Sequence, residues 1–184
     1  VCFAARLLRD KGVYEYIYAA KLLKERGVKA RFLLAGDLDE NNPSGLSIDD
    51  LSKIKEDSHV EFIGYHDDIA ALYAKSHIIC LPSYREGFPK SLAEAAAANR
   101  AVITTDVPGC RDAIIPNRTG LIVPVKDYQK LADALQWLIE SPHERISMGN
   151  AGRKLAEKEF PIKKIVMDHL DIYQELIRNN LKSN

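Results

Sequence analysis

The sequence has few cysteines, no net excess of positive or negative charge, and no long apolar runs. It holds 3 cysteines, at positions 2, 80 and 110, without a CxxC pair. An odd and sparse set is typical of free thiols in a reducing compartment, so we predict a cytoplasmic protein. Lys plus Arg equals Asp plus Glu at 26 each, which argues against a nucleic-acid binder, since such proteins carry a basic excess. No run approaches the roughly 20 apolar residues of a membrane span.

Familiar phosphate and metal motifs are also missing. Neither GxGxxG nor GxxxxGK[ST] occurs, which excludes the usual dinucleotide and triphosphate loops. The 5 histidines lack HxxxH spacing. Asp37-Leu38-Asp39 has the spelling of a DxD metal motif, but its polar surroundings over 37–47 predict an acidic loop. We therefore predict no metal site and no bound cofactor.

Strand-like apolar runs alternate with helical patterns along the chain. Predicted strands cover 1–5, 31–35, 60–63, 78–81, 101–105 and 120–123. Predicted helices cover 12–26, 48–56, 89–98, 144–159 and 162–179, with two more capped by Asp67 and Asp127. This alternation predicts an α/β fold, a doubly wound (Rossmann-like) parallel six-stranded sheet with helices on both faces, as a single domain over 1–184.

In such sheets, ligands bind outside the carboxyl ends of the strands. The candidate site loops are therefore those that follow strands, namely 6–12, 36–47, 64–67, 83–89 and 106–110. In the first, Arg6 and Lys11 lie where a diphosphate would sit, and a guanidinium and an ammonium both suit phosphate oxygens. A solvated basic loop explains the same residues equally well. Cys110 follows a Pro-Gly turn and is expected to be exposed.

The fourth of these loops carries Glu86-Gly87-Phe88-Pro89 at the start of a helix, and Glu94 follows on that helix. Gly87 permits a backbone path that other residues resist, and free N–H groups at the helix start attract phosphate or polyol oxygens. Eight residues along a helix give about 80° of rotation and roughly 12 Å of rise. The two carboxylates are therefore expected to contact different parts of one elongated ligand.

The Glu-Gly-Phe-Pro-x4-Glu-Ala run resembles the EX7E motif of retaining glycosyltransferases with the GT-B architecture, most closely glycosyltransferase family 4. Further pieces follow in that family's order over residues 1 to about 160: Arg6-Leu7-x3-Lys11-Gly12, Leu34-Ala35-Gly36-Asp37, Phe62-Ile63-Gly64, Leu81-Pro82-Ser83, Val107-Pro108-Gly109 and Thr119-Gly120. The chain departs from the pattern at Ala5, where glycine is usual, and at 99–101, where the family often has Gly-x-Pro. The chain is similar to the C-terminal, donor-binding half of these enzymes.

The resemblance implies a role for each candidate residue. Arg6 and Lys11 would neutralise the diphosphate of a nucleotide sugar. Glu86 would hold hydroxyls of the transferred sugar, aided by the backbone amides of Gly87 and Phe88. Glu94 would accept hydrogen bonds from the ribose. The remaining donor-binding positions implied are Gly36, Tyr65, His66, Gly87, Phe88 and Pro89. The backbone of Tyr65 and His66 would contact the base.

The function expected from the resemblance is retaining, metal-independent transfer of a hexosyl or N-acetylhexosaminyl group from a nucleotide sugar, with UDP the commonest nucleotide. The acceptor would be a saccharide or polyprenyl-diphosphate-linked saccharide. The resemblance is to bacterial enzymes of capsule, O-antigen or lipid-linked oligosaccharide synthesis. Two alternatives stay open: a non-catalytic nucleotide-sugar-binding module, and a UDP-sugar epimerase of the same architecture.

The chain begins within a predicted strand, at Val1. We therefore expect a preceding acceptor domain that is absent here, and little or no transfer by this fragment alone. The last predicted helix, over 162–180, has an apolar stripe that is expected to pack on that domain. The longer enzyme is expected in the cytoplasm, peripheral to the inner face of the cytoplasmic membrane.

Overall fold

A computed structural model describes residues 1–39, 41–56 and 59–182, with side chains through Asn179. The strands are β1 (Cys2–Ala4), β2 (Leu33–Ala35), β3 (Glu61–Gly64), β4 (Ile78–Leu81), β5 (Ala101–Thr105) and β6 (Gly120–Val123). The helices are α1 (Val13–Glu25), α2 (Ile48–Glu56), α3 (Ile69–Ala74), α4 (Lys90–Ala97), α5 (Pro108–Ala113), α6 (Tyr128–Glu140), α7 (Pro142–Glu159) and α8 (Ile162–Lys182). The predicted loop over 37–47 includes Glu40, which lies outside the described residues.

The strands form one parallel sheet in the order β3-β2-β1-β4-β5-β6. The chain builds outward from β1 to β3, and then returns to place β4 on the other side of β1. This reversal places the switch in strand order between β1 and β4, and doubly wound sheets bind ligands beyond the carboxyl ends of the strands near such a point. The predicted doubly wound fold is confirmed.

The core lies on both faces of the sheet. All five residues of β5 are buried, and neighbouring strand residues point to opposite faces. Both faces must therefore be covered, which is why these strands are continuous apolar runs without alternation. Helices α1 and α6 pack on each other, as do α4 and α7. Leu135 of α6 is fully buried, and truncating such a leucine to alanine typically costs about 2–5 kcal/mol of stability.

Two local predictions were wrong. Asp68, and not Asp67, caps α3, because its Oδ1 accepts the Ala71 N–H at 2.8 Å. The segment 106–110 was predicted as a loop with Cys110 exposed. Instead, Val107 is extended and Pro108 begins α5, since the missing proline N–H costs nothing in a first helical turn. That turn carries Cys110 inward, where it is fully buried.

Candidate functional site

A cleft of about 720 Å³ opens beyond the carboxyl ends of β1, β2 and β3 and along the first turns of α4. It brings together five of the ten predicted site residues: Arg6, Gly36, Tyr65, His66 and Glu94. Its other charged lining residues are Asp37, Asp39, Asp67, Asp68 and Lys90. The fold thus brings together groups that are distant in the sequence. The Arg6 guanidinium, the loops that follow β2 and β3, and the Glu94 carboxylate of α4 all line this cleft.

The loop after β1 carries Arg6 at the cleft and Lys11 beside it. The Arg6 side chain is 63% exposed, and its Nη1 lies 2.7 Å from Asp39 Oδ2 in the loop after β2. Residues 9–11 form a short 3-10 turn that ends at Gly12, whose φ is 75°. A Cβ at Gly12 would lie 2.1 Å from the Pro82 carbonyl oxygen. Glycine at this position therefore lets the loop after β1 approach the end of β4.

That close approach joins Lys11 to Glu86. Lys11 Nζ lies 2.5 Å from Glu86 Oε1, and their side chains are 22% and 10% exposed. The two loops are further tied by the Asp10 carbonyl, which accepts hydrogen bonds from Tyr84 N at 2.8 Å and Ser83 Oγ at 2.9 Å. Among the described residues, this ion pair lies beside the cleft rather than in its lining. From the sequence, the two residues were predicted to contact different parts of a ligand, and no local pattern indicated that they pair with each other.

The backbone at Gly87 differs from the prediction. Its φ is not in the left-handed region, and a Cβ built there would meet nothing within 4 Å. The prediction that the backbone at Gly87 follows a path that other residues resist was wrong. The tight position is Gly109 of α5, where a Cβ would lie 1.9 Å from the Gly87 carbonyl oxygen. The missing side chain at 109 is what allows α5 to lie against this loop.

Helix α4 begins directly after Pro89, which is its extended N-terminal cap. Glu94, four residues into the helix, lines the cleft, and its Oε1 lies 3.2 Å from Lys90 Nζ. Sequence analysis missed Lys90 as a cleft residue. Its i,i+4 spacing to Glu94 could have indicated it, because residues four apart lie on the same side of a helix.

Phe88 points to a different groove. Its ring is 48% exposed and meets the Phe160 ring edge-on, with 5.2 Å between centroids. This second groove, of about 790 Å³, lies between α4, the end of α7 and the start of α8, and shares Lys90 and Glu94 with the cleft. Its lining is mostly apolar, so Phe88 is placed for packing rather than for contact with a polar ligand in the cleft.

Helix α8 has a wide apolar face that the described residues leave exposed. The exposed apolar side chains include Ile162, Ile165, Val166, Met167, Leu170, Ile172, Tyr173, Leu176 and Ile177, at 42–79%. Exposed patches of this extent mark interaction surfaces. No helix in the described ranges combines the length and the apolar character needed to cross a membrane.

The ionisable groups of the described residues include no candidate metal cluster, and the buried thiols of Cys2 and Cys110 are not activated. Within residues 1–39, 41–56 and 59–182, no group of three or more His, Cys, Asp or Glu side chains could hold a metal ion. Burial raises the pKa of Cys2 to about 11 and also raises the pKa of Cys110. Tyr84 donates to Glu15 Oε1 at 2.6 Å, and burial followed by that hydrogen bond raises the pKa of Tyr84. These thiols and this phenol therefore stay protonated near neutral pH.

Residues 1–155 match the sequence model of the family described as glycosyl transferases group 1. The chain is 34% identical over 180 residues to the N,N'-diacetylbacillosaminyl-diphospho-undecaprenol alpha-1,3-N-acetylgalactosaminyltransferase of Campylobacter jejuni, covering 97% of this chain and 45% of that protein. It is 31% identical over 160 residues to the capsular polysaccharide biosynthesis glycosyltransferase CapM of Staphylococcus aureus, covering 86% of this chain and 41% of that protein.

The fold is similar to that of Anabaena HepE in a crystal structure with UDP. The TM-score is 0.83 at 18% identity, and the match covers 95% of this chain and 48% of HepE. The chain thus spans less than half the length of each of these proteins. A family match over residues 1–155 decides the assignment: the chain belongs to the glycosyl transferases group 1 family.

Proposed function

We propose that this chain binds the nucleotide-sugar donor of a glycosyltransferase, with a UDP-sugar as the donor. The observation that carries the proposal is the cleft at the carboxyl ends of β1–β3, whose lining includes both Arg6 and Glu94. The cleft suits an elongated ligand that has phosphates at one end and hydroxyls at the other. The cation can bind the phosphates, and the carboxylate and the backbone groups of two loops can bind the polar groups of the remainder.

The phosphates of the donor are assigned to Arg6 and Lys11. Arg6 uses one N–H on Asp39 and keeps further donors of its planar fork for phosphate oxygens. Lys11 lies in the same loop after β1 as Arg6 and is paired with Glu86 of the loop after β4. The N-terminus of α4 adds unpaired N–H groups and the positive end of a helix dipole. Together these groups favour a diphosphate between β1 and α4.

The hydroxyl groups of the donor are assigned to the two glutamates. Glu94 lines the cleft and is proposed to accept from the ribose. Glu86 is held by Lys11 through one carboxylate oxygen, so its other oxygen is available to a sugar hydroxyl. The backbone of Tyr65 and His66, at the end of β3, is proposed to contact the base. Gly87 and Pro89 contribute through the position of the loop and not through side-chain contact.

The reaction proposed is retaining transfer without a metal ion. The bond between the anomeric carbon and the diphosphate oxygen breaks, and its electron pair leaves with the diphosphate. An acceptor hydroxyl forms the new bond to the anomeric carbon and passes its proton to an oxygen of the departing diphosphate. Negative charge then develops on the leaving phosphate. Arg6, Lys11 and the start of α4 are placed to stabilise that charge in the transition state.

The acceptor is proposed to bind outside this chain, in a longer protein that contains it. The Campylobacter relative is named for transfer to a diphospho-undecaprenol-linked sugar, so a lipid-linked saccharide is the proposed acceptor class. The apolar face of α8 is proposed to pack on the preceding domain. A longer enzyme of this kind would work in the cytoplasm at the inner face of the membrane, and the present chain alone is expected to transfer little.

Calorimetric titration of the chain with UDP, a panel of UDP-sugars, uridine and inorganic pyrophosphate tests the proposal. We expect binding of UDP and of at least one UDP-sugar, with uridine at least tenfold weaker because it lacks the phosphates. Failure to bind any nucleotide would overturn the proposal. Incubation with a UDP-sugar followed by product analysis also separates the alternatives, since an epimerase would yield a new UDP-sugar without an acceptor.

A further inference from the structure

We infer that Asp39 is a positioning residue for donor binding, which holds the guanidinium of Arg6 at the mouth of the cleft. The inference rests on the proposed function and adds to it a residue outside the EX7E run and outside the basic loop. Arg6 Nη1 and Asp39 Oδ2 are 2.7 Å apart, and both residues line the cleft.

Asp39 is fixed by the fold and does not lie on a free loop. The loop after β2 is tied to the loop after β1 by backbone hydrogen bonds from Leu7 N to Asp37 O at 2.9 Å and from Arg9 N to Ser44 O at 2.7 Å. Asp39 O accepts from Asn42 N at 3.0 Å. A Cβ at Gly45 would lie only 2.2 Å from that same oxygen. The backbone that carries Asp39 is therefore packed from two sides.

The two side chains differ in exposure, which sets the direction of the effect. Arg6 is 63% exposed and Asp39 is 26% exposed, so the carboxylate is the better anchored partner. A long arginine side chain that is mobile in the free protein must be ordered when a ligand binds, and ordering such a side chain lowers affinity by about two- to tenfold. Asp39 orders Arg6 before the ligand arrives and occupies one of its five N–H donors.

The negative charge of Asp39 acts on ligand affinity in the opposite direction. A carboxylate next to the phosphates of a ligand repels them, and removing it would then tighten binding. Asp37 lines the same cleft with the same charge, and no contact between its side chain and Arg6 is among those described. Substitution of Asp37 therefore reports the change in charge without the loss of the anchor.

The test is calorimetric titration of the 184-residue chain and its variants with UDP and with inorganic pyrophosphate. We expect Asp39→Ala to weaken UDP about three- to tenfold, and Asp39→Asn to retain most of the affinity, because its amide oxygen can still accept from Arg6. Asp37→Ala should tighten UDP binding, because it removes a negative charge from the cleft and leaves the anchor of Arg6 in place. In the Arg6→Ala background, Asp39→Ala should cause no further loss, and thermal unfolding should show that every variant is folded.

Each contrary result has a distinct meaning. Tighter UDP binding by both Asp39→Ala and Asp39→Asn would show a repulsive carboxylate and overturn the inference. Equal losses from Asp39→Ala in the presence and absence of Arg6 would overturn it as well, since the effect would not pass through Arg6. If UDP does not bind, the proposed function itself fails. If UDP binds but Arg6→Ala has no effect, the assignment of Arg6 to the phosphates fails, and the inference fails in both cases.

Discussion

Lys11 Nζ lies 2.5 Å from Glu86 Oε1, across the crest of the sheet between the ends of β1 and β4. Lys11, which is proposed to bind the phosphates, and Glu86, which is proposed to bind the sugar, thus form an ion pair with each other. Both side chains are mostly buried, and a buried charge that loses its partner costs several kcal/mol. A donor that bridges the pair would satisfy both charges, whereas a ligand without a sugar would meet only Lys11.

Removing either proposed phosphate cation should abolish or strongly weaken UDP binding. We expect Arg6→Ala and Lys11→Ala each to weaken UDP by at least tenfold, since charge-assisted hydrogen bonds contribute about 1.5–3 kcal/mol. Arg9→Ala is the matched control, because Arg9 belongs to the same loop but pairs with Asp50 at 3.5 Å. Calorimetric titration provides the measurement. Unchanged affinity for UDP in both Arg6→Ala and Lys11→Ala would rule out the assignment of these residues to the diphosphate.

The two glutamates should separate in their effects on UDP and UDP-sugar. Glu94→Gln is expected to weaken both ligands alike, because both contain the ribose. Glu86→Gln should weaken the UDP-sugar but leave UDP equal or tighter, since Lys11 is then freed from its counter-charge. The ratio of the two dissociation constants in each variant is the measurement. The same loss of bare UDP in both variants would disprove this division.

The apolar face of α8 should tolerate polar substitution in this chain. Leu170 and Tyr173 are 52% and 58% exposed, so replacing both with serine should raise solubility and leave the unfolding midpoint nearly unchanged. Leu135→Ser in the fully buried core is the contrasting variant and should unfold the domain or lower its midpoint sharply. Thermal unfolding and sedimentation of concentrated samples supply the readouts. A large fall in the midpoint of the α8 variant would place these residues in this domain's own core.

The N-terminus of α2 should make the stability of the chain depend on pH. Ser47 N and Oγ donate to Asp50 Oδ2 at 3.0 and 2.8 Å. The hydrogen bonds from the Ser47 backbone, followed by that from its hydroxyl, lower the pKa of Asp50 to about 2. The ordinary value is about 3.9, so the contribution of this carboxylate is complete above about pH 4 and is lost as the pH falls toward 2.

Asp50→Asn should therefore lower the unfolding midpoint at pH 7 by a few degrees, because capping interactions contribute about 0.5–2 kcal/mol and each kcal/mol moves the midpoint by about 2–4 °C in a chain of this size. The difference from the parent chain should shrink as the pH approaches 2. Asp49→Asn, in the same turn and exposed, is the control for charge. A difference that is constant between pH 7 and pH 3 would contradict the assigned cap.

The sequence by itself determined the alternation of strands and helices, the parallel sheet and the edge of the sheet at which the candidate cleft lies. Apolar runs such as 78–81 and 101–105 are uninterrupted, which indicates strands that are buried on both faces. Amphipathic helices alternate with these strands along the chain, and this alternation is typical of a parallel sheet covered by helices. The order of motifs around Arg6, Glu86 and Glu94 also predicted a glycosyltransferase, and the match of residues 1–155 to glycosyl transferases group 1 confirms that assignment. Local sequence was less reliable where one residue decides a cap or a turn, as at Asp68 and Pro108.

Only the tertiary structure decided which charges meet. Lys11 and Glu86 are 75 residues apart, and Arg6 and Asp39 are 33 apart. Their pairing depends on the sheet order and on the close approach that Gly12 permits. The amino-acid sequence shows which side chains follow each strand. The distances between strand ends, and hence the electrostatics of the cleft, follow from packing that no local spacing contains.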